Sequence, residues 1–387
     1  MIDTYALLAA RLCGFALGAS APEIPAQTDF DRLFSISRLH SVAPLVAYAL
    51  EKLGVDCGAV AEKFSRETKK AVFRCAVREV AADEIRAALD ENGIAYTFLK
   101  GSVLMKLYPE PHLRTMCDLD IRYDTSKAEA VDNIMLSLGY TKVEESGTGG
   151  LNKAYTRPPC VRIEMHGHLM DKDIPLYNGY FGNDFERTLP GEGCEKVFKD
   201  EDFFVFMLAH MAKHYFTGGT GIRSFTDIKA FLQSKPMLDL DYVERELKKI
   251  ELDKFFLHMR KAADYMLDGA EPDELTSEIA EFIFDSNTYG KQQNMQTYAV
   301  KSRSSFVFGR LFPKLDFMSI RYPVLKKAPV LLPLFWIVRL VSSLFGGRWQ
   351  NSDVDAAVRV DKVSLDARKI EGKPYITHIT SEGDTKQ

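Results

Sequence analysis

Two carboxylates and a short glycine turn carry the chemistry this chain could do. Asp118 and Asp120 sit at i and i+2 in Asp118-Leu119-Asp120-Ile121-Arg122-Tyr123. That run alternates with period two, as a half-buried strand does. Both carboxylates then face one side, and Leu119 and Ile121 face a core on the other. Two ionised carboxylates this close repel each other unless one pKa rises or a divalent cation lies between them. Removing one, as in Asp120→Asn, should therefore hold or raise the stability of the metal-free protein. Two-metal phosphoryl transfer uses such carboxylates to hold ions about 3.5–4 Å apart. Upstream, a buried strand over 95–99 ends in Lys100, and Gly101-Ser102 opens a helix. Backbone N–H groups at a helix start attract phosphate, and glycine lets the phosphate come close. Such a turn followed by an Asp-x-Asp strand points to metal-assisted attack on the α-phosphate of a nucleoside triphosphate (NTP).

The elements that must position these residues follow from patterning. Residues 3–94 read as helical, with one long helix or two stacked ones between Val60 and Asn92. From Ile94 the order becomes strand, helix, strand, helix, strands, which describes a small α/β unit over about 95–200. Lys153 to Arg157 and Val161 to Leu169 are its later strands. The helical period returns at Glu201, with helices over 203–216, 222–233, 242–249, 255–267 and 275–284. The domains expected are thus a helical region (1–93), a core (94–200), a helical domain (201–350) and a polar tail (351–387).

Other chemistries lack their markers. The chain has no GxGxxG, GxxxxGK[ST], HExxH or GxSxG, so dinucleotide binding, P-loop hydrolysis, zincin proteolysis and α/β-hydrolase chemistry lose support. Six cysteines in 387 residues, none in CxxC, are too sparse for a disulfide scaffold. The N-terminal run has an acid at position 3 and no basic start, so it reads as an amphipathic helix and a cytoplasmic location is the expectation. Fifty basic and 54 acidic side chains leave a net charge of −4. A sequence-blind nucleic-acid binder is usually more basic, so no strong nucleic-acid signal is present.

The segment from Leu99 to Tyr123 resembles the signature of nucleotidyltransferases with the DNA polymerase β-like fold. Within that superfamily it is similar to a group of bacterial, uncharacterised nucleotidyltransferases. The resemblance rests on Leu99-Lys100-Gly101, Tyr108-Pro109-Glu110-Pro111, Arg114 and Asp118-Leu119-Asp120, in that order. Leu39 to Leu45, His210-Met211-Ala212-Lys213-His214 and Gly221 to Asp227 resemble the group's helical motifs. It implies an α+β fold, in which a small polymerase β-like α/β core with a mixed sheet is flanked by N-terminal and C-terminal helical regions. It also implies a third carboxylate, Glu164, which acts as a general base or as a ligand of the catalytic metal. On this reading Asp118, Asp120 and Glu164 hold two Mg²⁺ ions and are catalytic. Lys100, Gly101, Ser102, Arg114, Lys213 and Arg223 bind the NTP phosphates, and Asp227 anchors Arg223. The implied reaction moves a nucleoside monophosphate from an NTP, ATP first, to a hydroxyl or phosphate acceptor and releases pyrophosphate. A sugar-linked acceptor belongs to the same implication.

Plainer readings stand beside these. Asp118 and Asp120 would also suit an exposed edge strand, Glu164 a surface pair with Arg162, and Lys100 and Arg114 solvated positions. His210 and His214 share a helix face at i and i+4. Met211 stands where a zincin needs Glu, so a packed or substrate-contacting pair is the expectation. Rival functions are a toxin-type nucleotidyltransferase acting on tRNA and a non-catalytic nucleotide-binding protein on the same fold. The apolar segment 328–345 is interrupted by Arg339 and two prolines, too short an apolar run for a span of about twenty residues. A buried helix is the default there. A peripheral membrane contact flanked by Lys326, Lys327, Arg339 and Arg348 is the alternative.

Overall fold

The computed structural model describes residues 3–143, 152–170, 175–182, 184–217, 219–286, 324 and 328–335. Residues 1–215 and 220–289 form one compact unit, and residues 216–219 with 290–387 a second. In the second, the described part of the apolar segment is a single turn, Pro329–Leu331, leading into helical residues to 335. Residues 336–345, the flanking Lys326, Lys327, Arg339 and Arg348, and the tail 351–387 lie outside the described residues. Among those described, no helix is long and apolar enough to cross a membrane.

The first unit opens with α1 (Thr4–Ala16), α2 (Phe30–Leu39), α3 (Ala43–Lys52) and α4 (Ala61–Glu91). Asp3 and Asp29 cap α1 and α2 by accepting from backbone N–H groups of the first turn, which satisfies donors no helix can satisfy itself. The 31 residues of α4 are one continuous helix, so the stretch 60–92 is not two stacked helices. The core then runs β1 (Tyr96–Phe98), α5 (Gly101–Leu104), β2 (Leu119–Tyr123), α6 (Ala128–Ser137), β3 (Thr141–Val143), β4 (Lys153–Arg157) and β5 (Val161–His166). After it come α7 (Pro175–Tyr180), a hairpin of β6 (Thr188–Pro190) and β7 (Lys196–Phe198), then α8 (Asp200–Thr217), α9 (Ile222–Ser234), α10 (Leu240–Lys249), α11 (Asp253–Ala263) and α12 (Glu274–Asp285). The strand β3 and the hairpin carry no alternation in the sequence and were not expected from it.

The five core strands form one mixed sheet in the order β1-β2-β5-β4-β3. β2 and β5 run parallel, and every other pairing is antiparallel. One face is apolar. Leu119, Ile121, Ile163, Met165 and Tyr155 pack there with Ala81, Ile85 and Leu89 of α4 and Val131, Ile134 and Met135 of α6. The other face carries Asp120, Arg122, Glu164 and His166, as strand alternation requires. Arg122 is buried and held by a bidentate pair with Asp184, 2.5 and 3.1 Å, above the Phe185 ring. The first helix reaches the later ones: α1 packs on the turn Asp264–Asp268 that continues α11. A Cβ on Gly14 would lie 1.9 Å from the Leu267 carbonyl oxygen, so this contact needs glycine.

Candidate active site

Two adjacent strands bring distant carboxylates together. In the parallel β2–β5 ladder, Asp120 stands opposite Glu164 and Arg122 opposite His166. Neighbouring strands lie about 4.7–4.9 Å apart. Asp118 immediately precedes β2 and lines the same cavity. One carboxylate oxygen each from Asp120 and Glu164 and one imidazole nitrogen of His166 lie within 4.8 Å of one another. Geometry thus adds His166 to the residues singled out from the sequence. Its signal was the Glu164-x-His166 spacing, which puts both side chains on the face that carries Asp120.

The nearest partners of Asp120 are Lys100 and His166. Its Oδ1 accepts from Lys100 Nζ at 2.8 Å and lies 2.6 Å from His166 Nε2. Burial alone would raise the Asp120 carboxyl, but Lys100 and His166 outweigh it and hold it well below the usual carboxylate range. The same partnership raises the Lys100 ammonium against the opposing effect of burial. Asp118 behaves oppositely. Burial, then the Asp120 and Glu164 charges, push its carboxyl up, with Lys100 opposing. The like-charge repulsion expected from the sequence therefore falls on Asp118, and the expected gain in stability from Asp120→Asn is corrected accordingly. A raised carboxyl pKa means the fold binds that proton more tightly. Asp118 thus favours the fold at low pH and costs stability once pH rises through its folded pKa. Asp118→Asn should melt at or above the wild-type temperature at pH 7 without metal, the gap closing below about pH 3. A lower melting temperature at pH 7 would show that Asp118 is not repelled.

The turn after β1 is bent at Lys100, whose φ of +48° lies in the left-handed region. Non-glycine residues adopt it at a cost, and such residues collect at functional sites. Here it points the ammonium back at Asp120 while Gly101 starts α5. Gly101 lines the cavity. A Cβ there would lie 2.5 Å from Arg114 Nη1 and 2.8 Å from Met116 Sδ. Ser102 does not share this cavity. Its Oγ donates to the Leu99 carbonyl at 2.8 Å, and it opens onto a different cavity. Gly101→Val would crowd Arg114 and Met116 at this turn, so Mg²⁺-NTP should bind at least tenfold more weakly, or about 1.4 kcal/mol. Calorimetry reads this directly, and unchanged affinity would move the phosphate contact elsewhere.

Arg114 is buried and donates to both oxygens of Asp227, Nε to Oδ1 at 3.1 Å and Nη2 to Oδ2 at 2.8 Å. The Tyr108 hydroxyl donates to the same Oδ1 at 2.7 Å. Asp227 therefore anchors Arg114, not Arg223, which instead donates from Nη1 to the Thr115 carbonyl at 3.0 Å. Arg114, Lys213 and Arg223 all border the cavity, which measures about 380 Å³. One face of α8 closes it with Phe203, Phe206, Met207, His210 and His214. His210 and His214 are in contact, Nε2 to Nε2 3.2 Å. Burial first, then the charge of Lys100, holds the His210 imidazolium far below its ordinary range, so His210 is a neutral polar group at physiological pH.

The family model of an uncharacterised nucleotidyltransferase matches residues 26–268, from the loop between α1 and α2 through all five core strands to the turn after α11. The chain belongs to that family. No curated protein and no solved structure matches it. The protein is accordingly a nucleotidyltransferase with an α+β fold, and the matched residues contain every side chain of the cavity. For a nucleotidyltransferase, a cavity with acids on its sheet side and Lys100, Lys213 and Arg223 around it presents both signs of charge. Metal-bound phosphates need both.

Proposed function

We propose that this nucleotidyltransferase moves a nucleoside monophosphate from an NTP, ATP first, to a hydroxyl or phosphate acceptor, with release of pyrophosphate and with Mg²⁺. One observation carries the reading: Asp120 and Glu164 face each other across a parallel ladder, with Asp118 on the same cavity wall. The donor set fits a divalent cation. Carboxylates suit Mg²⁺, and an imidazole at the same centre also suits Mn²⁺. Asp118 and Asp120, with His166 beside them, would hold the nucleotide-bound ion, and Glu164, in the same group, would face the acceptor. When bound, such an ion neutralises phosphate charge and orients the attacking and leaving oxygens.

The chain's own groups do the rest. Glu164 takes the proton of the acceptor hydroxyl on its carboxylate as that oxygen attacks the α-phosphorus. Lys100 turns its ammonium from Asp120 to a phosphate oxygen. Gly101 lets the phosphates approach the backbone, and Lys213 and Arg223 offer charge from the α8 and α9 side. Arg114, clamped by Asp227, stiffens the wall that Gly101 touches. Phe203, Phe206 and Met207 give the nucleoside an apolar surface that excludes water.

Paired labelling tests this. With fractionated cell extract as the acceptor source, label from [α-³²P]ATP should enter product, and label from [γ-³²P]ATP should leave as pyrophosphate. Entry of the γ label into product would mean a phosphotransferase and overturn the reading.

A further inference from the structure

A second cavity of about 200 Å³ adjoins the catalytic one, and Arg114, Met116, Cys117 and Arg223 border both. Its remaining wall is strongly basic. Arg38 of α2, Lys70, Arg74 and Arg78 of α4, and His112 converge on it, and among the described residues Glu67 is the one acid lining it. Lys70, Arg74 and Arg78 recur every four residues, so α4 presents them as one column. Glu67 is spent on Lys70, 2.9 Å away. Arg78 is the telling member. It is only 5% exposed, its Nη1 donates to the Arg74 carbonyl at 3.3 Å, and its buried Nε has no hydrogen-bond partner among the described residues. A buried guanidinium with no carboxylate on it is costly. An anion entering the chamber would satisfy that donor and offset the crowding of like charges. Phosphate matches a guanidinium's planar donors, which can engage two oxygens at once.

The metal-bound NTP phosphates belong at the carboxylates, where a cation can bridge them. The chamber offers cations and almost no acid, which suits a phosphate that carries no metal. At about 200 Å³ it has room for a phosphate with further atoms attached. We propose that this chamber binds a phosphomonoester on a small acceptor, presenting the acceptor's hydroxyl or a second phosphate to Glu164 next door. The proposal rests on the nucleotidyl-transfer reading and narrows its acceptor to phosphorylated small molecules.

The test is calorimetry on the full chain with three probes: inorganic phosphate, a non-hydrolysable ATP analogue with Mg²⁺, and a short single-stranded RNA. Arg74 is exposed, so Arg74→Gln keeps the fold even if Arg78→Gln does not. Inorganic phosphate should bind the wild type and bind both variants at least tenfold more weakly, with the affinity of the analogue unchanged. Phosphate binding that is absent, or equal in wild type and Arg74→Gln, would overturn the proposal. An analogue affinity that falls in step with phosphate would assign the chamber to the NTP tail and overturn it as an acceptor subsite. RNA affinity that falls tenfold in Arg74→Gln while phosphate affinity does not would overturn it in favour of a nucleic-acid acceptor. An analogue that fails to bind the wild type, while phosphate still discriminates the variants, would bring down the transfer reading and leave the anion chamber standing.

Discussion

Glu164→Gln should bind Mg²⁺-NTP as the wild type does and transfer the nucleotidyl group about 10²–10⁴ times more slowly. Gln keeps the volume and one oxygen of Glu but cannot accept the acceptor's proton. The fold should hardly notice. Glu164 Oε1 is paired with Arg162, Nε and Nη2 both at 3.1 Å, and Oε2 lies 3.8 Å from His166 Nε2. The Arg162 side chain is 37% exposed, and exposed pairs of this kind contribute at most about 1 kcal/mol. Nucleotide affinity comes from calorimetry and the chemical step from single-turnover transfer. Full transfer activity in the variant would sink the catalytic role. Lost nucleotide binding in a folded variant would mean that Glu164 and Asp120 form one indivisible metal site.

Asp120→Asn should abolish metal-dependent transfer and also lower stability. The second half reverses what two neighbouring carboxylates suggest on paper. Asp120 is not chiefly opposed by Asp118; it is held by Lys100 at 2.8 Å and His166 at 2.6 Å. Asparagine leaves the Lys100 ammonium with its main partner gone, at a cost of about 1–3 kcal/mol. The pH dependence follows from the sign. The Asp120 carboxyl is depressed in the fold, so its stabilisation is present above the unfolded pKa and is lost as pH falls towards the folded one. The melting gap between wild type and Asp120→Asn should be full at pH 7 and narrow below about pH 4. A variant that melts at or above the wild type at pH 7 contradicts the pairing, and unchanged turnover contradicts the metal assignment.

The residues of the site were legible largely because they lie on regular elements. Period two placed Asp120 and Leu119 on opposite faces, and Lys153–Arg157 is the strand its pattern describes. Glu164 came only through resemblance, because nothing local shows which strand β5 will pair with. Other features depend on contacts across the chain. Arg114 and Asp227 are 113 positions apart, and reading along the sequence paired Asp227 with the nearer Arg223. Gly101 and Ser102 are about 100° apart around a helix, and here Gly101 lines the catalytic cavity while Ser102 turns to the Leu99 carbonyl and opens onto another. The basic chamber draws on α2, α4 and the segments around residues 112 and 223, and no window of the sequence holds them together.

The unbroken length of α4 sets a gauge for the first compact unit. Arg74, Arg78, Ala81, Ile85 and Leu89 fall along one stripe at spacings of four, three, four and four. The lower part of that stripe lies on the sheet, and the upper part lines the basic chamber. Chamber and sheet are thereby indexed to each other by the pitch of one rod. At 1.5 Å of rise and about 100° of turn per residue, one alanine inserted after Val80 would leave Ile85 and Leu89 seated but swing the arginines a quarter-turn or more off the chamber. Deleting a residue there swings them the other way. Sequence drift along α4 can therefore exchange side chains freely on its outer face, while the count of residues between Arg78 and Ala81 has no slack.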